Sequence, residues 1–232
     1  MQQHFFSRSQ HAARSLCQGL HPRMPRAAAL WASLAVVTVL SACSSPAQRI
    51  AVYDFGPGAT APQPSNRMAP LPPLLLADVE AASALDGTAV LYRLAYADVQ
   101  QLRPYAQARW SMPPAQLLRQ RLRDLLGRNR SVLSPVDALV PGTLALRLEL
   151  EEFSQLFASA QSSSGLVRVR ATLSRSGSPA KPLAQTSFIL QRPAGSADAK
   201  GGVQALAVAS DALVLQVDQW LQQVASAEIT AP

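Results

Sequence analysis

The sequence predicts an α+β fold: a single domain with one mainly antiparallel or mixed sheet and two amphipathic helices packed on one of its faces. Three observations lead there. From Thr143 to Glu152, Leu144, Leu146, Leu148 and Leu150 alternate with Arg147, Glu149 and Glu151, which is the period of a half-buried strand. Val167, Val169, Ala171 and Leu173 repeat that pattern, and Leu183–Leu190 supplies a third strand, so short turns join an antiparallel meander. Two other segments, one after Pro113-Pro114 and one after Gly201-Gly202, space their apolar residues as helices do.

The remaining elements follow in order. Ile50–Phe55 reads as a first strand. Gly56 to Pro73 carries Pro57, Pro62, Pro64, Pro70, Pro72 and Pro73 and reads as a loop, because proline removes backbone donors. Leu74–Val79 and Ala89–Tyr96 read as strands, and Asp86-Gly87 between them suggests a hairpin. Tyr105–Trp110 is a short aromatic segment that leads into the first helix. That helix buries Leu118, Leu122, Leu125 and Leu126, with Leu117 at the edge of the stripe, and stops at Gly127. Glu151-Glu152 marks a bulge, since Phe153 and Phe157 follow in the opposite phase to the leucines. Ala158–Gly165 and Arg192–Gly202 are polar loops, and Ser176–Pro179 is a turn. The last helix carries Val203, Leu206, Ala207, Leu213, Val214, Val217, Trp220, Leu221 and Val224 on one side. Gln204, Asp211, Asp218, Gln219 and Gln222 take the other. Membrane-surface helices are rich in Lys and Arg on the polar face, and this one has none there, so its stripe is assigned to the core.

The N-terminus is not part of this domain. Arg8, Arg14, Arg23 and Arg26 precede an apolar run from Ala27 to Leu40. The run is shorter than the ~20 residues a membrane-spanning helix needs, so it reads as a secretory signal. It ends Leu40-Ser41-Ala42-Cys43, which resembles the lipobox of bacterial lipoproteins. That resemblance implies cleavage before Cys43, a thioether-linked diacylglycerol and an N-acyl chain such as palmitate on it. Met24 would give a more usual leader and is the candidate true start. Ser44 in place of Asp after the cysteine favours the outer membrane, facing the periplasm. The boundaries expected are therefore 1–42 for the leader, 43–49 for anchor and tether, 50–227 for the domain and 228–232 for a tail.

Composition narrows the chemistry. Removing the leader's four arginines takes the net charge from +7 to +3, too mild to argue for nucleic acid. His4, His11, His21 and Cys17 all lie in the leader, so the mature chain has no histidine and no cysteine but Cys43. This excludes a Ser-His-Asp triad, a Cys-His pair, disulfides and the usual zinc sites. Glu149 and Glu151 share a strand face with Arg147 and are read as a solvated face, not a catalytic pair. No metal and no cofactor beyond the lipid is expected, and the chain is read as no enzyme. Arg119, Arg121, Arg123, Arg128 and Arg130 face Asp124 alone along and after the first helix. They are the candidate surface for docking an acidic partner or lipid headgroups.

The lipobox, Tyr53-Asp54-Phe55-Gly56-Pro57, Val90-Leu91-Tyr92-Arg93 and Tyr105–Pro114 together resemble the ABC-type transport auxiliary lipoproteins, of the paraquat-inducible protein C and YmbA types. Leu146–Phe157 and Ser196–Leu206 are similar to two further landmarks of that family, in the same order. The resemblance implies a non-enzymatic docking subunit on the outer-membrane side. It would work with an MCE-domain protein and an ABC permease and ATPase that move lipids or hydrophobic solutes between membranes, as a ring of copies. An outer-membrane assembly lipoprotein, or one that activates a cell-wall synthase, is the alternative, because fold alone does not separate these classes.

Overall fold

The computed structural model describes residues 49–58, 71–135, 143–176 and 181–230. The leader with Met24, Cys43, the tether, most of the proline-rich loop and the turn at 177–180 lie outside the described residues. In chain order the elements are β1 Ala51–Tyr53, β2 Leu71–Ala81, a short 3₁₀ turn Ser83–Leu85, β3 Ala89–Leu94 and β4 Asp98–Trp110. Then come α1 Pro114–Leu126, β5 Arg130–Leu133, β6 Leu144–Phe157, β7 Ser163–Arg175, β8 Lys181–Pro193 and α2 Ala199–Thr230. The strands form one mixed sheet, and both helices join the same hydrophobic core, so the α+β expectation holds. The last helix runs to Thr230, past the boundary expected at 227.

Strand β6 organises the sheet. Along one edge it pairs with β7 over its whole length, and β7 pairs with β8, which is the meander the alternation predicts. Along its other edge β6 serves two strands in succession. Leu144–Leu150 pairs in parallel with β2, and Gln155–Phe157 pairs in parallel with β3. The register against β7 shifts between Leu150 and Glu152, so Glu151 is the extra residue of a bulge. The bulge reverses the phase of the strand. Leu146, Leu148 and Leu150 before it and Phe153 and Phe157 after it all point into the core.

This arrangement corrects the hairpin expected at Asp86-Gly87. β2 and β3 both run parallel to β6, so they run in the same direction and cannot form an antiparallel hairpin. The 3₁₀ turn with buried Leu85 carries the chain from one to the other, and β3 pairs instead with β4. The aromatic segment at 105–110 is the end of a much longer strand. Asp98–Gln101 is exposed on both faces, so no alternation betrays it in the sequence. β5 was not foreseen either; it is a four-residue strand that pairs only with β2.

In α1 the proline pair opens the helix, and Gly127 closes it by donating its N–H to Arg123 O at 2.9 Å. The buried stripe is Leu117, Leu118, Leu122 and Leu126, with Leu125 only partly covered, so Leu117 and Leu125 exchange the places expected for them.

The entry of α2 sits hard against β6 and β7. A Cβ on Gly165 of β7 would lie 2.6 Å from Leu206 N and 2.7 Å from Ala205 C, both backbone atoms that cannot swing aside. We expect Gly165→Ala to lower stability by about 1–3 kcal/mol, as overpacking does. Gly195→Ala, with nothing within 4 Å of its Cβ, should leave the urea midpoint unchanged. Equal midpoints for the two variants would refute the close approach.

Candidate functional site

The five arginines of the expected docking surface do not share one outward face. Arg121 Nε lies 3.1 Å from Asp211 Oδ1 of α2, and its Nη2 donates to Phe55 O at 2.7 Å and Gly56 O at 3.0 Å. Its guanidinium also lies 5.9 Å from the centre of the Phe55 ring. Arg130 is buried, and its Nη2 donates to Asp218 Oδ1 at 3.2 Å. Burial pulls the Arg130 guanidinium down from its ordinary value, and the charge and hydrogen bond of Asp218 oppose that. Asp211 and Asp218 stand two turns apart on α2, on one side of the helix. They belong to the seam between α1, β5 and α2, not to a solvent-facing polar side. Arg119 Nε pairs at 3.1 Å with Asp78, whose side chain is 80% exposed. Arg123 is partly exposed and Arg128 is exposed, so the outward part of the face is these two with Arg119 at its edge.

A second cluster forms where α2 begins, and sequence reasoning passed over it. Asp198 caps the helix: its Oδ1 accepts from Gly201 N at 2.8 Å and from Ser196 Oγ at 2.8 Å. Those bonds hold the Asp198 carboxyl below its ordinary value, the Gly201 N–H contributing most. Gly202 follows, and a Cβ there would collide with the side-chain amide of Gln155. Gln155 is fully buried, accepts from Tyr105 Oη at 2.8 Å and donates to Ser163 Oγ at 2.7 Å. The Tyr105 phenol is pushed above its ordinary value of 10.0, by burial first and then by Tyr92 and Asp198. An Asp three residues before a Gly-Gly pair and an apolar helical run was the signal available for this cap. Nothing in the sequence marks Gln155 as its neighbour.

Beside this cap, β1 and α2 leave a shallow groove of about 450 Å³. Val52, Phe55, Val203 and Ala207 supply its apolar lining, with Asp54 and Lys200 among its polar residues. Above it, Phe55, Trp110 and Phe153 interlock with ring centroids 5.6–5.9 Å apart. On the opposite face of the sheet, Glu149 and Glu151 both pair with Arg170, and Arg147 pairs with Glu80 at 3.7 Å. Among the described residues no group of three or more His, Cys, Asp or Glu side chains is placed to hold a metal, and no helix is long and apolar enough to cross a membrane.

Compared with known proteins, residues 53–218 match the model of the family described as the ABC-type transport auxiliary lipoprotein component. The chain belongs to that family. No curated protein matches it. Among solved structures, a Xanthomonas campestris protein described under the family model DUF330 is similar at 16% identity and a TM-score of 0.59, over 81% of this chain and 94% of that one. An uncharacterized protein is similar at 15% identity and a TM-score of 0.54, over 75% of this chain and 99% of that one. At these identities the likeness is one of fold.

The segments after the lipobox that carry the family resemblance converge in space. Phe55 of the first, Trp110 of the third and Phe153 of the next form the aromatic triad. The Tyr92 ring lies tilted against that of Tyr105 with centroids 4.6 Å apart, Arg93 holds Glu152 at 3.0 Å, and Gln155 meets Gly202 of the last segment. The family's landmarks are thus the packing of one end of the domain, where β1, β3, β4, β6 and the start of α2 meet.

Two outcomes follow for stability. Arg130→Met leaves the largely buried Asp218 carboxylate without a cation, with only the Gln222 amide at 2.8 Å, and should cost about 3 kcal/mol in chemical denaturation, whereas Arg119→Met should cost less than about 1 kcal/mol because Asp78 is solvated. Equal effects would place the anchoring pair elsewhere. The pH profile has two limbs. Asp198, with its folded pKa lowered, contributes stability above its ordinary 3.8 that is lost as pH falls through the folded value. Tyr105, with its folded pKa raised, contributes stability in full below pH 10.0 that is lost as pH rises through the folded value. Thermal melts of Asp198→Ala and Tyr105→Phe should flatten the acid and alkaline limbs respectively.

Proposed function

We propose that this protein is the lipid-anchored periplasmic subunit of an MCE-type ABC transport system. It docks the machinery that moves lipids or hydrophobic solutes between membranes at the periplasmic face of the outer membrane. Membership of the auxiliary lipoprotein family carries this reading, and the lipobox ending at Cys43 supports it. The protein does not itself catalyse or hydrolyse ATP: the mature sequence lacks a phosphate-binding loop and any histidine, so the energy comes from the partner ATPase. Its part is tethering, through the diacylglycerol and N-acyl chain on Cys43, and contact, through the outward arginines Arg123 and Arg128 with Arg119 beside them. Copies arranged in a ring would multiply such weak charged contacts.

The test is gentle solubilisation of the full-length tagged protein from its native host. We expect an MCE-domain protein and an ABC permease and ATPase to co-purify, and Cys43→Ser to release the protein from the membrane fraction. Arg123→Glu with Arg128→Glu should weaken that co-purification while leaving the melting temperature within a few degrees of the parent. Recovery of an outer-membrane barrel or a peptidoglycan synthase in place of any MCE protein would overturn the transport reading. Native mass spectrometry of the same preparation counts the copies.

A further inference from the structure

We infer that the open edge of β8 is a strand-addition site, and that it takes an extended segment of a partner protein whose residues alternate apolar and polar and whose ends are acidic. The site is separate from the outward arginines of α1, which covers β2 and β5.

Among the described residues, β1, β5 and β8 each pair with a single strand. Such edges are templates for further pairing, and proteins protect them with short strands, charge, proline or bulges. β1 has three residues and β5 has four, so those edges are blunted by their length. β8 has thirteen. From Leu183 to Gln191 it carries no charged residue, no glycine and no proline, and its ladder with β7 is regular from Ala184 to Pro193.

The phase of that ladder fixes which backbone groups are open. Ala194 N donates to Ser163 O at 2.9 Å, and these two residues continue the register of Ser164 with Pro193. Opposed residues of an antiparallel pair alternate between exchanging both bonds and exchanging none. Thr186, Phe188, Leu190 and Arg192 therefore bond to β7, and Pro193 falls where no N–H is needed. Gln185, Ser187, Ile189 and Gln191 turn their N–H and C=O groups outward. Their side chains are exposed on the outer face of the sheet, where Gln185 donates to Thr172 Oγ1 and Gln191 to Ser164 Oγ. Gln191 O accepts from the Arg192 guanidinium at 3.0 Å, which puts a cation at that end of the edge.

Three features say what pairs there. Open donors and acceptors at every second residue call for another extended backbone. On the α2 side Phe188 meets Trp220 edge-on with centroids 6.2 Å apart, both rings are partly covered, and Val224 follows one turn on. Alternate apolar side chains of an added segment would close over them. The charge is one-sided: β7 and β8 hold Arg168, Arg170, Arg175, Lys181 and Arg192 and no acid. Of the acids on β6, Glu149 and Glu151 pair with Arg170 and Glu152 with Arg93. Lys181 and Arg192 mark the two ends of the open edge. A second β8 laid in register against it, in either direction, would set cation beside cation, so a copy of this chain is disfavoured and acidic ends are favoured.

The test is hydrogen exchange of the full-length lipoprotein in detergent micelles, read residue by residue by mass spectrometry. In the free protein the amides of Ser187 and Ile189 should exchange fast, and those of Phe188 and Leu190 slowly. The probe is a capped peptide of alternating valine and threonine with two glutamates at each end. At saturation it should slow Ser187 and Ile189 by about tenfold or more. The same peptide ended in lysines should bind about tenfold more weakly at low salt. Ser187→Pro removes an outward N–H and leaves the bonds to β7, so its melting temperature should stay within a few degrees of the parent while the peptide no longer protects Ile189. Phe188→Pro removes a bond to β7 and should melt lower. Slow exchange at 187 and 189 without peptide, at every protein concentration, would mean an edge covered by the chain itself. Slowing that grows with protein concentration would mean a second copy there. Either result overturns the assignment, as does a peptide that leaves both amides fast, equal binding of the glutamate-ended and lysine-ended peptides, or a Ser187→Pro variant that melts as low as Phe188→Pro. None of these readouts depends on recovering an MCE protein, so the transport reading and this one fail separately.

Discussion

One strand edge cannot hydrogen-bond two neighbours at the same place, and β6 resolves this by serving them in turn. Its first half completes a parallel pair with β2, its last three residues a parallel pair with β3, and the bulge at Glu151 falls between. A fourteen-residue strand without the bulge would keep the phase of Leu146 and Leu148, and Phe153 and Phe157 would then point away from the core. With it, aliphatic and aromatic halves line one continuous face. α1 covers the end built on β2 and β5, and α2 lies along β6, β7 and β8. The Arg93–Glu152 pair closes the fork at the point where the two neighbours part.

The same strand ties the family's scattered landmarks to each other. Residues far apart in the chain, from Phe55 to Gly202, meet because β6 passes between them, and Phe153 and Gln155 are its contributions to the aromatic triad and to the buried polar cluster. Gln155 needs three things at once: a phenol to donate to it, a hydroxyl to accept from it, and a glycine where α2 crosses over it. A buried amide satisfied this fully orients its neighbours, and one left unsatisfied would be costly. That requirement accounts for Gly202, while a Cβ on Gly201 would collide with Ser196, so each glycine has its own reason at a helix entry where glycine otherwise lowers helix stability.

Charge is divided in a similar way. Of the arginines around α1, Arg121 and Arg130 are used internally, to bind β5 and α1 to Asp211 and Asp218 of α2. What is left outward is a smaller basic surface than composition suggests.

By itself the sequence determined the parts whose signal is local. Alternation over Leu144–Leu150 and Val167–Leu173 identified the meander, proline and glycine punctuated α1, and the phase change after Leu150 revealed the bulge. The lipobox and the order of the landmarks identified the family, since both are written along the chain. Only the tertiary structure decided the rest. Two parallel strands with a tight turn between them read like a hairpin, because residue patterns carry no strand direction. The polar arm of β4 had no period to read, because it packs on neither face. The inward arginines looked like a solvent face, because their carboxylate partners lie 88 and 90 residues away in the chain, and pairing over that distance is settled by the fold alone.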